Sequence, residues 1–146
     1  DKLSSNNFHV PRPAAARYQQ RGTFYTADII TVRIPGVVAL SEFIADNDPD
    51  ESFWQSVGAA IYKFHAAGVY HADMNAHNLQ IDESGTLWML DFDKGALRPR
   101  GPWQQATLAR LHRSLRKIVN QDPNLNFRAP DWEQLLQGYF NASRLA

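Results

Sequence analysis

The residues best suited to chemistry lie in one stretch, His71-Ala72-Asp73-Met74-Asn75-Ala76-His77-Asn78, followed after twelve residues by Asp91-Phe92-Asp93. Written as a pattern, this is H-x-D-x-x-x-x-N and then D-F-D. These types match what phosphoryl transfer asks of a protein: a carboxylate that orients a hydroxyl nucleophile, and oxygen ligands that hold metal ions against phosphates. Magnesium takes hard oxygen donors, usually one or two carboxylates together with phosphate and water. Asp73 is a carboxylate for the hydroxyl, Asn78 offers an amide oxygen to a metal, and Asp91 offers a second carboxylate. The alternative is a solvated polar loop beside an ordinary hairpin, which a lone H-x-D would favour. Three polar positions at this spacing, followed by an apolar strand running into D-F-D, favour the site.

The elements that must position these groups are legible around them. Leu79-Gln80-Ile81 and Leu87-Trp88-Met89-Leu90 read as the arms of a hairpin whose turn is Asp82-Glu83-Ser84-Gly85, bringing the two polar loops side by side. Upstream, Asp48-Pro49-Asp50-Glu51 reads as the start of a long helix, with Asp48 as N-cap and Pro49 at the first helical position. Trp54, Val57, Ile61 and Phe64 form its apolar face and Gly68 ends it, delivering the chain into His71. His65 lies on or near that face and reads as a core or boundary histidine. Residues 1–9 read as the tail of an earlier element, with His9 in a surface loop. Val10-Pro11-Arg12-Pro13 is extended. Strands are expected over 14–18 and 24–34 around a turn at Gly22, and a short helix over 40–45 opened at or near Ser41. Lys94 to Pro102 reads as a Gly/Pro-rich loop. Helices are expected over 103–119, with Leu108, Leu111, Leu115 and Ile118 on one side, and from Pro130, with a polar connection over 120–128. Trp132, Tyr139 and Phe140 read as packing residues.

The 146 residues allow one domain. Basic and acidic residues balance at 15 each, but they are unevenly placed. Glu42, Asp46, Asp48, Asp50 and Glu51 cluster in the first half, whereas Lys94, Arg98, Arg100, Arg110, Arg113, Arg116 and Lys117 form a run without an acid. With no cysteine there are no disulfides or thiolate metal sites, and no apolar run is long enough to span a bilayer. The start lacks an initiator Met and looks like neither a signal peptide nor a natural N-terminus, so the chain is expected to be a fragment of something longer.

The H-x-D-x-x-x-x-N and D-F-D pattern resembles the catalytic and metal loops of protein-kinase-like phosphotransferases. It departs from protein kinases in three ways. Asn75 stands where lysine is usual, Asp93 stands where a glycine follows D-F, and no A-P-E element follows. A protein substrate is therefore disfavoured. The whole run is similar to a narrower family. Val10-Pro11-Arg12-Pro13, Gly22-Thr23-Phe24-Tyr25-Thr26-Ala27-Asp28, Arg33-Ile34-Pro35-Gly36, Tyr70 to Asn78, Leu90 to Gly95 and Trp103 to Lys117 together resemble 3-deoxy-D-manno-octulosonic acid (Kdo) kinases of Gram-negative bacteria. That resemblance implies an α+β, protein-kinase-like fold: mostly the helical C-terminal lobe, with a short β hairpin left from the N-terminal lobe. Residues 1–37 would be the remnant of the N-terminal lobe with the hinge, and 38–146 the catalytic lobe.

The resemblance also implies a reaction, ATP-dependent phosphorylation of the 4-hydroxyl of Kdo on a lipid A precursor, with ATP and Mg²⁺, by a peripheral protein at the cytoplasmic face of the inner membrane. Asp73 would be the catalytic base, and Asn78, Asp91 and Asp93 the metal ligands. Asn75, His77, Arg98 and Arg100 are the candidates for binding substrate, with His77 equally able merely to start the hairpin, while His71 and Phe92 would be structural at the site. The glycine-rich loop and the phosphate-binding lysine are not found in these residues, so this stretch alone is expected to be inactive or nearly so. The basic run suits the phosphates and carboxylate of the acceptor and an anionic membrane surface. No aromatics interleave with it, so nucleic acid is not expected, and no protein partner is evident. Other readings are a kinase of the same fold acting on a core heptose, an aminoglycoside or a choline-like alcohol, a non-catalytic kinase-like binding module, and a metal-dependent hydrolase using His71, Asp73, His77 and Asp91. The last is disfavoured because histidines at i and i+6 in a loop do not match a helical metal site.

Overall fold

A computed structural model describes residues 8–145. Strands β1 (Pro13–Arg21) and β2 (Phe24–Thr31) pair antiparallel as a separate two-stranded sheet, with Arg21 opposite Phe24 and Gly22 at φ 61° in the turn between them. The first strand is longer than the sequence suggests and the second stops three residues short of Ile34. This hairpin leaves Phe24, Ile29 and Ile30 mostly exposed. Of the expected N-terminal tail, residues 1–7 lie outside the described residues, whereas exposed His9 sits beside the Trp88 ring and its carbonyl accepts from Met89 N–H.

The chain then crosses through Pro35-Gly36 into β3 (Val38–Ala39) and helix α1 (Leu40–Asp46). Ala39 occupies the N-cap of α1 without a side-chain bond, so Ser41 does not open the helix; it lies inside the first turn and points elsewhere. Helix α2 (Glu51–Ala66) is capped by Asp50, whose Oδ1 accepts from Phe53 N–H at 2.8 Å. Asp48, expected in that role, pairs instead with Arg128 at 2.9 Å, which displaces the cap by two residues. Trp54, Val57, Ile61 and Phe64 are all buried. Gly68, at φ 75°, closes the helix, and a Cβ there would stand 2.5 Å from the Arg98 carbonyl. Both the dihedral and the space require glycine.

That close approach belongs to a strand pair not anticipated from the sequence. Strands β4 (Val69–Tyr70) and β7 (Ala96–Leu97) pair antiparallel, although the second lies in the stretch read as a loop. Between them β5 (Leu79–Ile81) and β6 (Leu87–Met89) make the expected hairpin, extended by β3 to a three-stranded sheet of order β3-β5-β6. Its turn is organised by Asp82, which accepts from Ser84 Oγ–H at 2.6 Å and from the Trp88 indole at 2.8 Å.

Helices α3 (Trp103–Gln121) and α4 (Ala129–Arg144) complete the chain, α3 running two residues beyond the expected end. The polar connection to α4 also buries Phe127 against Trp54. In α4, Tyr139 is buried, Trp132 stacks on His112 at 4.3 Å between centroids, and Phe140 is half exposed. Helices α2 and α4 cross at Gly58 and Gly138. A Cβ on Gly58 would overlap the Leu135 carbonyl, and one on Gly138 the Gln55 carbonyl. His65, 1% exposed, ties three helices: its Nδ1 lies 2.9 Å from Tyr139 OH of α4 and its Nε2 3.1 Å from Thr107 Oγ1 of α3. Because the Thr107 hydroxyl can donate to the Trp103 or Gln104 carbonyl, the neutral ring accepts from tyrosine and donates to threonine. No helix among the described residues is long and apolar enough to cross a membrane.

Candidate active site

The polar loop between β4 and β5 is held by alternate burial. His71, Met74 and Ala76 point into the core, while Asp73 and His77 are exposed. The Ala76 backbone is bonded on both sides, its N–H donating to Ser114 Oγ of α3 at 3.1 Å and its carbonyl accepting from Ser41 N–H of α1 at 3.2 Å. The loop is therefore a packed element, and its exposed side chains are presented by a fixed backbone.

His71, 2% exposed, orients two strands at once. Its Nδ1 accepts from Asp73 N–H at 3.1 Å, so its Nε2 carries the proton and donates to the Leu90 carbonyl at 2.7 Å. Leu90 N–H in turn donates to the Asn78 carbonyl at 2.9 Å. The residue just before Asp91 thus has both backbone groups bonded to the polar loop, and this clamp brings D-F-D alongside Asp73 and Asn78. Phe92 packs on the His71 ring at 4.8 Å between centroids and faces Phe64 at 6.4 Å. Asp91 sits at φ 61°, the left-handed region, which Asp tolerates better than most residues. Its Oδ1 takes a long 3.4 Å contact from Asp93 N–H, and both carboxylates are exposed.

The Asp73 carboxylate is held from two sides, by Asn75 Nδ2–H at 3.0 Å and by Arg110 at 3.4 Å. Asn75 is fully engaged: its Oδ1 also accepts from His77 N–H at 2.9 Å and Asn78 N–H at 3.0 Å. Asn78 Nδ2–H donates to the Asp73 carbonyl at 2.9 Å, leaving Oδ1 without a partner among the described residues. His77 Nδ1 lies 2.9 Å from Ser41 Oγ.

A cleft of about 360 Å³ opens beside Asp73, lined by Asp73, Asn75 and His77 of the loop and by the Arg110 to Gln121 part of α3. Neither Arg98 nor Arg100 lines it. The Arg98 guanidinium stacks 3.6 Å over the Tyr70 ring, and Arg100 donates to Tyr62 OH at 2.8 Å. Arg110, Arg113 and Lys117 line the cleft in their place. These three belong to the basic run noted in the sequence, and their spacing of three and four residues is the signal that places them on one helix face. No sequence signal points to Ser41, which meets His77 across 36 residues.

The donor set fits magnesium. Two exposed carboxylates and one free amide oxygen are hard donors, and among the described residues no group of three or more His, Cys, Asp or Glu forms a closed metal cage. Magnesium takes one or two such donors and completes its shell with phosphate and water.

Comparison with known proteins decides the family. A family model described as the lipopolysaccharide kinase (Kdo/WaaP) family matches residues 1–139. The chain belongs to this family. Among the family's named proteins, it is 40% identical over 139 residues to a 3-deoxy-D-manno-octulosonic acid kinase of Xylella fastidiosa (strain 9a5c), covering 94% of this chain and 55% of that protein. It is 34% identical over 137 residues to one of Photobacterium profundum, covering 94% and 58%. The chain spans a little over half the length of these relatives. A solved structure of the bifunctional kinase-methyltransferase WbdD aligns with 98% of this chain and 34% of its own, with a TM-score of 0.55 at 15% identity. That likeness shows the fold, which is α+β and kinase-like as expected for the family.

Proposed function

We propose that this chain carries the catalytic loop of an ATP-dependent phosphotransferase acting on the 4-hydroxyl of Kdo on a lipid A precursor, in lipopolysaccharide core synthesis. The observation that carries the reading is the Leu90 clamp, which joins the loop of Asp73 and Asn78 to the one bearing Asp91. Family membership and the names of the relatives supply the acceptor.

In this reading Asp73 orients the acceptor hydroxyl and takes its proton, an effect worth about 10²- to 10⁴-fold for a positioned base. Asn75 fixes the carboxylate, and Arg110 contacts its other oxygen at 3.4 Å. Asn78 Oδ1, Asp91 and Asp93 would hold Mg²⁺, which when bound neutralises charge on the transferred phosphate. His71 and Phe92 hold the two loops together, and His77 faces the acceptor with its ring fixed by Ser41. Arg98 and Arg100, tied to tyrosines, would act on substrate only from outside the cleft. Residues 1–37 correspond in this reading to the end of an N-terminal lobe and its hinge. The protein would work peripherally at the cytoplasmic face of the inner membrane, its basic run drawn to anionic lipid.

The test is transfer from labelled ATP with Mg²⁺ by the full-length protein to a Kdo-bearing lipid A precursor and to a Kdo-free control, beside Asp73→Ala. Label on the Kdo-bearing lipid alone, abolished in the variant, is the expected result. Equal labelling of both lipids would remove Kdo as the target. Absence of label with a folded, ATP-binding protein would favour another acceptor or a binding module.

A further inference from the structure

Arg110, Arg113 and Lys117 lie at i, i+3 and i+7 of α3 and all line the cleft beside Asp73, together with Ser114 and Gln121. Seven residues of helix span about 10 Å, longer than one sugar ring. The cleft's lining holds a single acid, Asp73, and it is already in contact with Arg110. Helix α3 itself contains no Asp or Glu. Among the described residues Arg113 and Lys117 have no carboxylate partner. By contrast, Arg116 of the same helix does not line the cleft. Nor do Asn78, Asp91 and Asp93, so the cleft wall is built from residues other than the candidate metal donors.

A concave wall with cations of one sign focuses a positive potential. Guanidinium matches carboxylate and phosphate oxygens with paired hydrogen bonds, and ammonium serves the same anions as a point charge. An ordinary solvated helix face would spread its cations among acids; this one gathers three around a single carboxylate.

We propose that Arg113 and Lys117 form an oxyanion subsite for the phosphoryl acceptor, gripping a carboxylate or phosphate that the acceptor carries while its hydroxyl lies at Asp73. The proposal rests on Asp73 being the base. Arg110, shared between Asp73 and the cationic stripe, sets the boundary between the reacting hydroxyl and the bound anion. The subsite selects acceptors by charge: a neutral sugar loses the grip, and a polycationic aminoglycoside is repelled.

The experiment uses the full-length protein and the double variant Arg113→Gln/Lys117→Gln, which removes charge at two exposed positions and keeps polarity. Three acceptors are compared: the Kdo-bearing lipid A precursor, the same molecule with the Kdo carboxyl as its methyl ester, and the same molecule without its phosphates. The variant is expected to raise KM for the intact acceptor by about tenfold or more, with a much smaller change in kcat, because the lost contact is ground-state binding. One modified acceptor reproduces that loss with the unaltered protein and loses nothing further with the variant, which identifies the anion as carboxylate or phosphate. An unchanged KM, or a variant penalty that persists in full on both modified acceptors, overturns the subsite. If no Kdo acceptor is phosphorylated, the functional reading fails, and the subsite is judged separately by titrating inorganic phosphate into both proteins. Saturable binding lost in the variant upholds it, and equal binding or none overturns it.

Discussion

Asn75 makes three hydrogen bonds with one short side chain, to the Asp73 carboxylate and to the backbone N–H groups of His77 and Asn78. It therefore sets both the position of the Asp73 carboxylate and the direction of the backbone that carries Asn78. Replacement by Asp would keep an oxygen acceptor for the two backbone N–H groups and place a second carboxylate against Asp73. That removes the N–H that Asn75 donates to Asp73 and sets two like charges together, so kcat/KM is expected to fall by about tenfold or more in Asn75→Asp. Replacement by Ala would free two backbone donors, costing about 1–3 kcal/mol if they stay dry, and lower kcat. Steady-state kinetics of both variants check this: an unchanged kcat/KM in Asn75→Asp would mean that the amide does not govern Asp73. At this scale the sequence already named Asp73, Asn75 and Asn78, because their spacing within one loop is local. It gave neither Ser41 nor Ser114 a place at the site, because a serine inside a helix looks the same whether its hydroxyl meets solvent or a loop 36 or 38 residues away.

Among the elements, the crossing of α2 and α4 is the most exacting. The backbones meet at Gly58 and Gly138, where any Cβ would overlap a carbonyl of the opposite helix. Helix propensity alone would make glycine to alanine favourable by about 1 kcal/mol. The geometry reverses the sign: Gly58→Ala and Gly138→Ala are each expected to destabilise by roughly 1–3 kcal/mol or more, the cost of overpacking against a backbone that cannot yield. Urea unfolding of either variant measures this, and a gain in midpoint would contradict the crossing. The capping of α2 shows the same competition between local and distant demands. Asp48 and Asp50 both satisfy the local rule for an N-cap, and the choice falls to Asp50 with Asp48 pairing to Arg128 from the start of α4. Likewise the β4–β7 pair joins two stretches of two residues each with the whole β5–β6 hairpin between them, so neither carries a strand signal by itself.

Across the whole molecule, His65 links α2, α3 and α4 through one neutral ring. Burial lowers its pKa from 6.5 to about 4. Between these values the unfolded chain binds a proton that the folded chain refuses, so stability is full above about pH 6.5 and falls as pH drops toward 4. The shift corresponds to a loss on the order of 3 kcal/mol across that window. The urea midpoint is expected to fall between pH 7 and pH 5, and a His65→Gln variant to show a flatter dependence from a lower starting stability. Equal slopes in both proteins would assign the acid sensitivity elsewhere. The β1–β2 hairpin stands apart: its exposed Phe24, Ile29 and Ile30 form apolar surface that the described residues leave uncovered.

The sequence by itself determined the main elements and the spacing of the polar residues in the loop. Helical periodicity over Trp54 to Phe64 and Leu108 to Leu115, the hairpin turn at Asp82 to Gly85, and the polar pattern from His71 to Asp91 are all encoded within a few turns of chain. Tertiary structure decided which cations share the cleft with Asp73. Arg98 and Arg100 are nearer to Asp91 along the chain, yet their side chains are taken by Tyr70 and Tyr62. Arg110, Arg113 and Lys117 reach the cleft because α3 packs its Leu108, Leu111 and Leu115 face inward and Ser114 against the loop, leaving the cationic stripe beside Asp73. The physical reason is that charge does not fix its own position: apolar burial orients the helix, and the cations go where that packing leaves them.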